Sequence, residues 1–182
     1  DALADDAFDK LLFSFHGVPE RHIRKGDPTG RHCLCTPDCC QRPHPAQQFC
    51  YRHQCYETAR LFAERAGIAP ERTYVSFQSR LGRDPWLTPY TDKTLEAFPG
   101  RGIKRVKVMC PAFVADCLET LEEIAMQGKE SFIENGGEDF EHIPCMNTHP
   151  AWVAFLQQRV ENWLQSRQAP PTPLPTDPAA PA

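Results

Sequence analysis

Short apolar runs, each cut off by a breaker, alternate along this chain with stretches of helical periodicity. Leu11-Leu12-Phe13-Ser14-Phe15 stops at His16-Gly17-Val18-Pro19, the pattern of a buried strand running into a loop. Tyr74-Val75-Ser76-Phe77 predicts a second strand, and Arg105 to Cys110, closed by Pro111, a third. Phe140 to Met146 predicts a short fourth. Tyr51 to Ala66 predicts a helix with Tyr56, Ala59, Leu61 and Phe62 on its apolar face and Gly67 as its stop. A short helix is expected over Asp92 to Phe98, capped by Thr91 or Asp92. Another is expected over Asp116 to Phe132, ended by Gly136-Gly137. The last, Pro150 to Ser166, carries Trp152, Phe155, Leu156, Val160 and Trp163 on one face.

Strands alternating with helices predict a four-stranded parallel sheet covered on both faces, a Rossmann-like three-layer α/β domain. It occupies residues 1–168, with a Cys-rich insertion and the start of a helix at 29–55. Residues 20–50, polar and rich in Pro, Gly and Cys, read as a loop or small subdomain. The tail 169–182 is mostly Pro, Ala and Thr, too poor in large apolar groups to fold, and reads as disordered. In open parallel sheets the site lies at the carboxyl ends of the strands. His16, Gln78-Ser79-Arg80 and Pro111 to Glu119 each follow a strand directly, so three polar clusters converge on one edge.

Charge excludes some partners. A net charge of -4 gives no basic footprint for nucleic acid or an anionic membrane surface. No apolar run reaches the roughly 20 residues of a membrane span, so no transmembrane segment is expected and membrane contact would be peripheral. The start, Asp1 to Asp6, has neither the basic nor the apolar part of a secretory leader, and the expected compartment is the cytoplasm. Cysteine changes the picture more. Of nine, Cys33, Cys35, Cys39, Cys40 and Cys50 crowd one polar segment, while Cys110 and Cys145 are expected to end strands as buried small hydrophobes. Thiols this close favour a metal or an iron–sulfur cluster over a disulfide scaffold, which would spread its bridges. Four of the five suit a [2Fe–2S] cluster or tetrahedral Zn2+, and spacing alone leaves both open beside plain free thiols. Cys33, Cys35 and Cys50 fit best, with one of the adjacent Cys39 and Cys40; Cys55, inside a helix, reads as packing.

Candidate chemistry sits at the strand ends. His16 is either a histidine satisfied by loop carbonyls or a base or metal ligand working near its own pKa. Gly17 beside it would let a flat ligand approach the backbone. Asp116, Glu119 and Glu123 (i, i+3, i+7) share a helical stripe, with Glu122 pointing elsewhere. They form a solvated face, or a row of carboxylates that passes on a divalent cation and takes up protons. Gln78, Ser79, Arg80 and Trp86 lie in a loop that either merely anchors its Trp in the core or suits a planar anionic ligand.

Five motifs carry a resemblance. Ser14-Phe15-His16-Gly17-Val18-Pro19, Gly26-Asp27-Pro28, Phe77-Gln78-Ser79-Arg80-Leu81-Gly82, Pro85-Trp86-Leu87 with Pro89-Tyr90-Thr91-Asp92, and Pro111 to Ile124 occur in ferrochelatase order and spacing. From Leu11 to Trp163 the chain resembles the C-terminal half of a ferrochelatase of proteobacterial type, with a Cys-rich insertion. The resemblance implies one half of a two-domain fold that inserts Fe2+ into protoporphyrin IX, with the missing N-terminal half or a partner chain closing the pocket. It implies His16 and Glu119 as the catalytic pair facing each other across the macrocycle. His16, Glu119, Glu123 and Asp116 would lie on the metal or proton path, and Trp86 in the macrocycle pocket. It also favours [2Fe–2S] over zinc, since some ferrochelatases carry that cluster. Cys117 stands where some members carry His. Coproporphyrin as substrate, and a non-catalytic porphyrin- or cluster-binding remnant, are the alternatives.

Overall fold

A computed structural model describes Leu3 and residues 7–168; the Pro-rich tail lies outside the described residues. The chain divides into two compact units, Asp1–Cys145 and Met146–Ala182. Four strands build the first: β1 (Lys10–His16), β2 (Thr73–Gln78), β3 (Arg105–Met109) and β4 (Asp139–His142), in the order β2-β1-β3-β4. All pairings are parallel, and the register sets His16 beside Gln78 and Phe15 beside Phe77. The expected four-stranded parallel sheet is therefore present.

Period-two alternation sends β1 into two cores. Leu11, Phe13 and Phe15 pack with Cys55, Ala59, Phe77 and Leu87 on one face. Leu12 packs with Leu95, Phe98, Val106, Val108, Ile124, Phe132 and Phe140 on the other. Both faces are covered, which is the physical requirement of a parallel sheet. Each fully buried Phe, such as Phe13 or Phe132, contributes roughly 2–3 kcal/mol of transfer free energy.

Helix α1 (Glu20–Lys25) falls where a loop was expected. Its only buried residue is Ile23, too little for a periodic signal, and Glu20 N–H docks on the Pro85 carbonyl at 2.9 Å. Helix α2 (Tyr51–Ala66) ends as expected at Gly67, with φ +67°. Helix α3 (Thr91–Ala97) is preceded by Tyr90, so neither Thr91 nor Asp92 is its cap. The helix expected from Asp116 starts later: α4 (Leu118–Thr120) runs into a π-helical segment, Leu121–Gly128, and then α5 (Lys129–Glu134). Asp116 thus precedes the helix. Strand β4 stops at His142, so Cys145 does not end a strand and is only partly buried. Asp116 Oδ1 instead accepts the Cys145 N–H at 3.2 Å. In the second unit, α6 (Pro150–Gln168) stacks Trp152 on Phe155 with ring centroids 5.6 Å apart.

Gly137 follows α5, and a Cβ there would lie inside van der Waals contact with the fully buried Phe132 ring. Gly137→Ala is expected to destabilise the fold by about 2 kcal/mol through overpacking. Thermal unfolding should show a Tm lowered by roughly 4–8 °C.

Candidate active site

His16 is the last residue of β1 and is half-buried. Its Nδ1 lies 2.6 Å from the Gly17 carbonyl. A carbonyl oxygen only accepts, so Nδ1 carries the proton and Nε2 is the nitrogen left to accept a proton or bind a cation. Trp86 and Phe113 flank the imidazole, with ring centroids at 6.4 and 6.0 Å. Trp86 is held by Nε1–H donated to the Leu81 carbonyl at 2.9 Å and by the bridge between Pro19 and Trp86. A Cβ at Gly17 would sit 3.0 Å from the Gln78 carbonyl and 3.3 Å from Trp86 Cε3. The missing side chain therefore lets β2 and Trp86 close around His16, where the sequence suggested room for a ligand.

Glu119 occupies the first turn of the helical stretch, where backbone N–H dipoles favour a carboxylate. A hydrogen bond from the Cys117 thiol and backbone hydrogen bonding hold its carboxyl below the usual range. Glu123 turns towards the end of β2. Ser79 donates to it from both backbone N–H, at 2.7 Å, and Oγ, and Gln78 Nε2 lies 3.3 Å away. Ser79 adopts φ +61°, a left-handed conformation uncommon outside glycine, and this brings both its donors onto one carboxylate. Asp116 accepts from Thr120 Oγ1 at 3.1 Å and from Cys145 N–H. Glu122 is exposed, as its spacing implied.

The structure brings His16, Glu119, Glu123, Gln78, Ser79 and Trp86 to one sheet edge. Arg80 is engaged elsewhere, donating twice to Asp92 at 2.9 and 2.7 Å and lying over the Tyr90 ring at 4.2 Å. Gln78 is buried and faces protein groups. Sequence reasoning missed His142, whose Nε2 is buried without a partner. It also passed over the buried hydroxyls of Ser14, Ser76 and Thr91. A cavity of about 850 Å³ lies between α2, β2 and the Cys-rich segment. It touches neither His16 nor Glu119, so it is not this site.

The Cys-rich segment is held by the buried Asp27, whose carboxylate accepts from the N–H groups of Thr29, His32 and Cys33 at 2.8–2.9 Å. Those bonds, the Cys33 one foremost, keep its carboxyl far below the usual range. Cys33, Cys39 and Cys50 are buried, Cys40 is half-buried and Cys35 exposed. The neighbouring thiols of Cys40, foremost, and Cys33 pull the Cys50 thiol down to about 5. Arg52 Nη1 donates to Cys39 Sγ at 3.5 Å and Cys40 Sγ at 3.3 Å. Among the described residues, no group of three or more His, Cys, Asp or Glu side chains is arranged to hold a metal ion. Tyr51, next to Cys50, donates its hydroxyl to the His16 carbonyl at 2.8 Å.

A family model described as Ferrochelatase matches residues 1–164. Curated ferrochelatases of Opitutus terrae and Ectopseudomonas mendocina are 54% and 56% identical over 158 and 163 residues, 87% and 89% of this chain. That of Pseudomonas aeruginosa is 57% identical over 150 residues, 82% of the chain. These matches cover 46%, 48% and 44% of the respective relatives, so the chain spans about half their length. A solved structure, a putative cobalamin biosynthesis CbiX protein from Marinobacter aquaeolei, aligns with TM-score 0.46 at 13% identity, over 86% of this chain and 98% of that one.

Proposed function

The chain belongs to the ferrochelatase family, and from that membership we propose that it forms the half of the fold carrying the metal-inserting wall, with protoporphyrin IX and Fe2+ as substrates. The observation that carries the reading is His16: its Nε2 is left as an acceptor between two aromatic rings, and Glu119 stands in the first turn of the helical stretch at the same sheet edge. Metallation must remove two pyrrole N–H protons while Fe2+ sheds water. His16 Nε2 accepts one proton, and the Glu119 carboxylate, kept ionised, serves as the second acceptor and as a hand-over ligand for the hard cation. Trp86 and Phe113 offer apolar surface to the macrocycle, and a pocket that buckles the ring exposes its lone pairs by spending binding energy on the distorted state. Glu123 braces the corner at Ser79. The relatives' greater length supports a second half as the facing wall, in the same chain or a partner. The cytoplasm is the compartment this reading assigns; among the described residues, no helix is long and apolar enough to cross a membrane.

The Cys-rich segment is assigned a [2Fe–2S] cluster. Supporting it are the convergence of Cys33, Cys39, Cys40 and Cys50 and the Arg52 hydrogen bonds to two of these sulfurs, which would offset thiolate charge. Bound there, the cluster would supply a thiolate-ligated one-electron centre.

The test is metallation by the full chain, alone and mixed with the N-terminal half of a relative. Loss of free-porphyrin fluorescence on adding Fe2+ under anaerobic conditions is the expected result. A folded chain that binds porphyrin yet stays silent in both samples would point to the non-catalytic remnant instead.

A further inference from the structure

Four polar side chains lie inside the sheet's second core with almost no exposure: Ser14 and Ser76 at 0%, Thr91 at 2% and Gln78 at 3%. They are in mutual contact, and their hydrogen bonds have only one consistent direction. Ser14 Oγ lies 2.7 Å from Gln78 Oε1, which can only accept, so the single Ser14 proton is spent there. Thr91 Oγ1, 2.8 Å from Ser14 Oγ, must then donate to it. Ser76 Oγ, 2.8 Å from Thr91 Oγ1, must donate in turn. The Cys110 thiol adds a second donor to Gln78 Oε1 at 3.5 Å. The amide cannot flip, because its oxygen would then face the Glu119 carbonyl and the Glu123 carboxylate. Gln78 Nε2 therefore donates to the Glu119 carbonyl at 2.6 Å and to Glu123 Oε2 at 3.3 Å.

We infer that the directed chain Ser76–Thr91–Ser14–Gln78 is a positioning device for the acid-bearing turn, fixing the Glu119 backbone so that its carboxylate is presented to the His16 site. The inference deepens the proposed chelatase reading and rests on it for its catalytic consequence. The expense of burying four polar groups in an apolar core is recovered only because every bond is made, and bonds aligned head to tail polarise one another. They end on the stretch that needs bracing. Glu119 stands two residues before Leu121, where the π-helical segment Leu121–Gly128 takes over from α4. A mid-helix change of hydrogen-bond pattern is characteristic of functional sites.

The experiment is amide hydrogen exchange on the full chain carrying Thr91→Val, which keeps the shape and removes the relay hydroxyl, with Ser14→Ala as a second break. Exchange over residues 117–124 is expected to quicken about tenfold, as for a lost hydrogen bond or two, while β1 and β3 stay within twofold of wild type. Thr91→Ser should restore protection, which a mere packing defect would not predict. In the metallation assay, kcat should fall about tenfold with the porphyrin KM unchanged. Exchange over 117–124 within twofold of wild type in both variants would overturn the inference. A wild-type chain that never metallates, with exchange responding as described, would sink the chelatase reading and leave the positioning device standing. Should Thr91→Val fail to fold, Ser14→Ala decides alone.

Discussion

His16→Ala is expected to lower the proposed Fe2+ insertion roughly a thousandfold while porphyrin still binds. General acid–base groups contribute about 10²–10⁴ in rate, and His16 is the side chain at the sheet edge whose acceptor nitrogen is fixed by structure. The Gly17 carbonyl commits Nδ1 to donation, so Nε2 alone is left for a pyrrole proton or the metal. Binding is spared because the apolar contact comes from Trp86 and Phe113, which are held independently: Trp86 through the Leu81 carbonyl and Phe113 N–H through the Cys110 carbonyl at 3.0 Å. Parallel fluorescence titration and metallation kinetics check this. A rate within tenfold of wild type would remove His16 from the mechanism.

Cys50→Ser is expected to abolish the proposed cluster. Cys50 is buried and central, in contact with the thiols of both Cys33 and Cys40. A hydroxyl there cannot replace a thiolate ligand, and the remaining sulfurs would lose the one that joins them. Wild-type protein purified anaerobically should be reddish-brown, with about two irons and two sulfides per chain; the variant should be colourless with background iron. A colourless wild type loaded with zinc would defeat the cluster assignment and leave the chelatase reading intact. Cys35→Ser then settles the ligand set. Retained colour assigns Cys33, Cys39, Cys40 and Cys50, and lost colour brings in the exposed Cys35.

What the sequence revealed follows from how strongly each signal is written. The first three strands were legible because each is a short apolar run stopped by a breaker, and α2 because a face of alanines and aromatics ends at Gly67. The convergence of His16, Gln78 and Glu119 followed from the rule that sites gather at strand carboxyl ends. Helix α1 was hidden because five of its six residues are charged or His. The π-helical segment has no distinct periodicity over eight residues, so a continuous α-helix was the natural reading, and Asp116 was counted into a stripe it does not join. Gln78 was read as a ligand-facing loop residue, yet alternation along β2 places Tyr74, Ser76 and Gln78 on one face, and along β1 Leu12 and Ser14 on the same one. A polar residue recurring at every second position of a buried strand was the available signal for the hydroxyl chain. The folding of the Cys-rich segment around Asp27 depends on three backbone N–H bonds that no spacing announces.

Glu119 is the proposed partner of His16, and the site depends on its carboxylate. The deciding measurement is the initial rate of Fe2+ insertion by Glu119→Gln, combined with the N-terminal half, with porphyrin affinity taken on the same sample. Loss of the carboxylate should slow insertion roughly a hundredfold with porphyrin affinity unchanged. Wild-type turnover in that variant would contradict the proposed site.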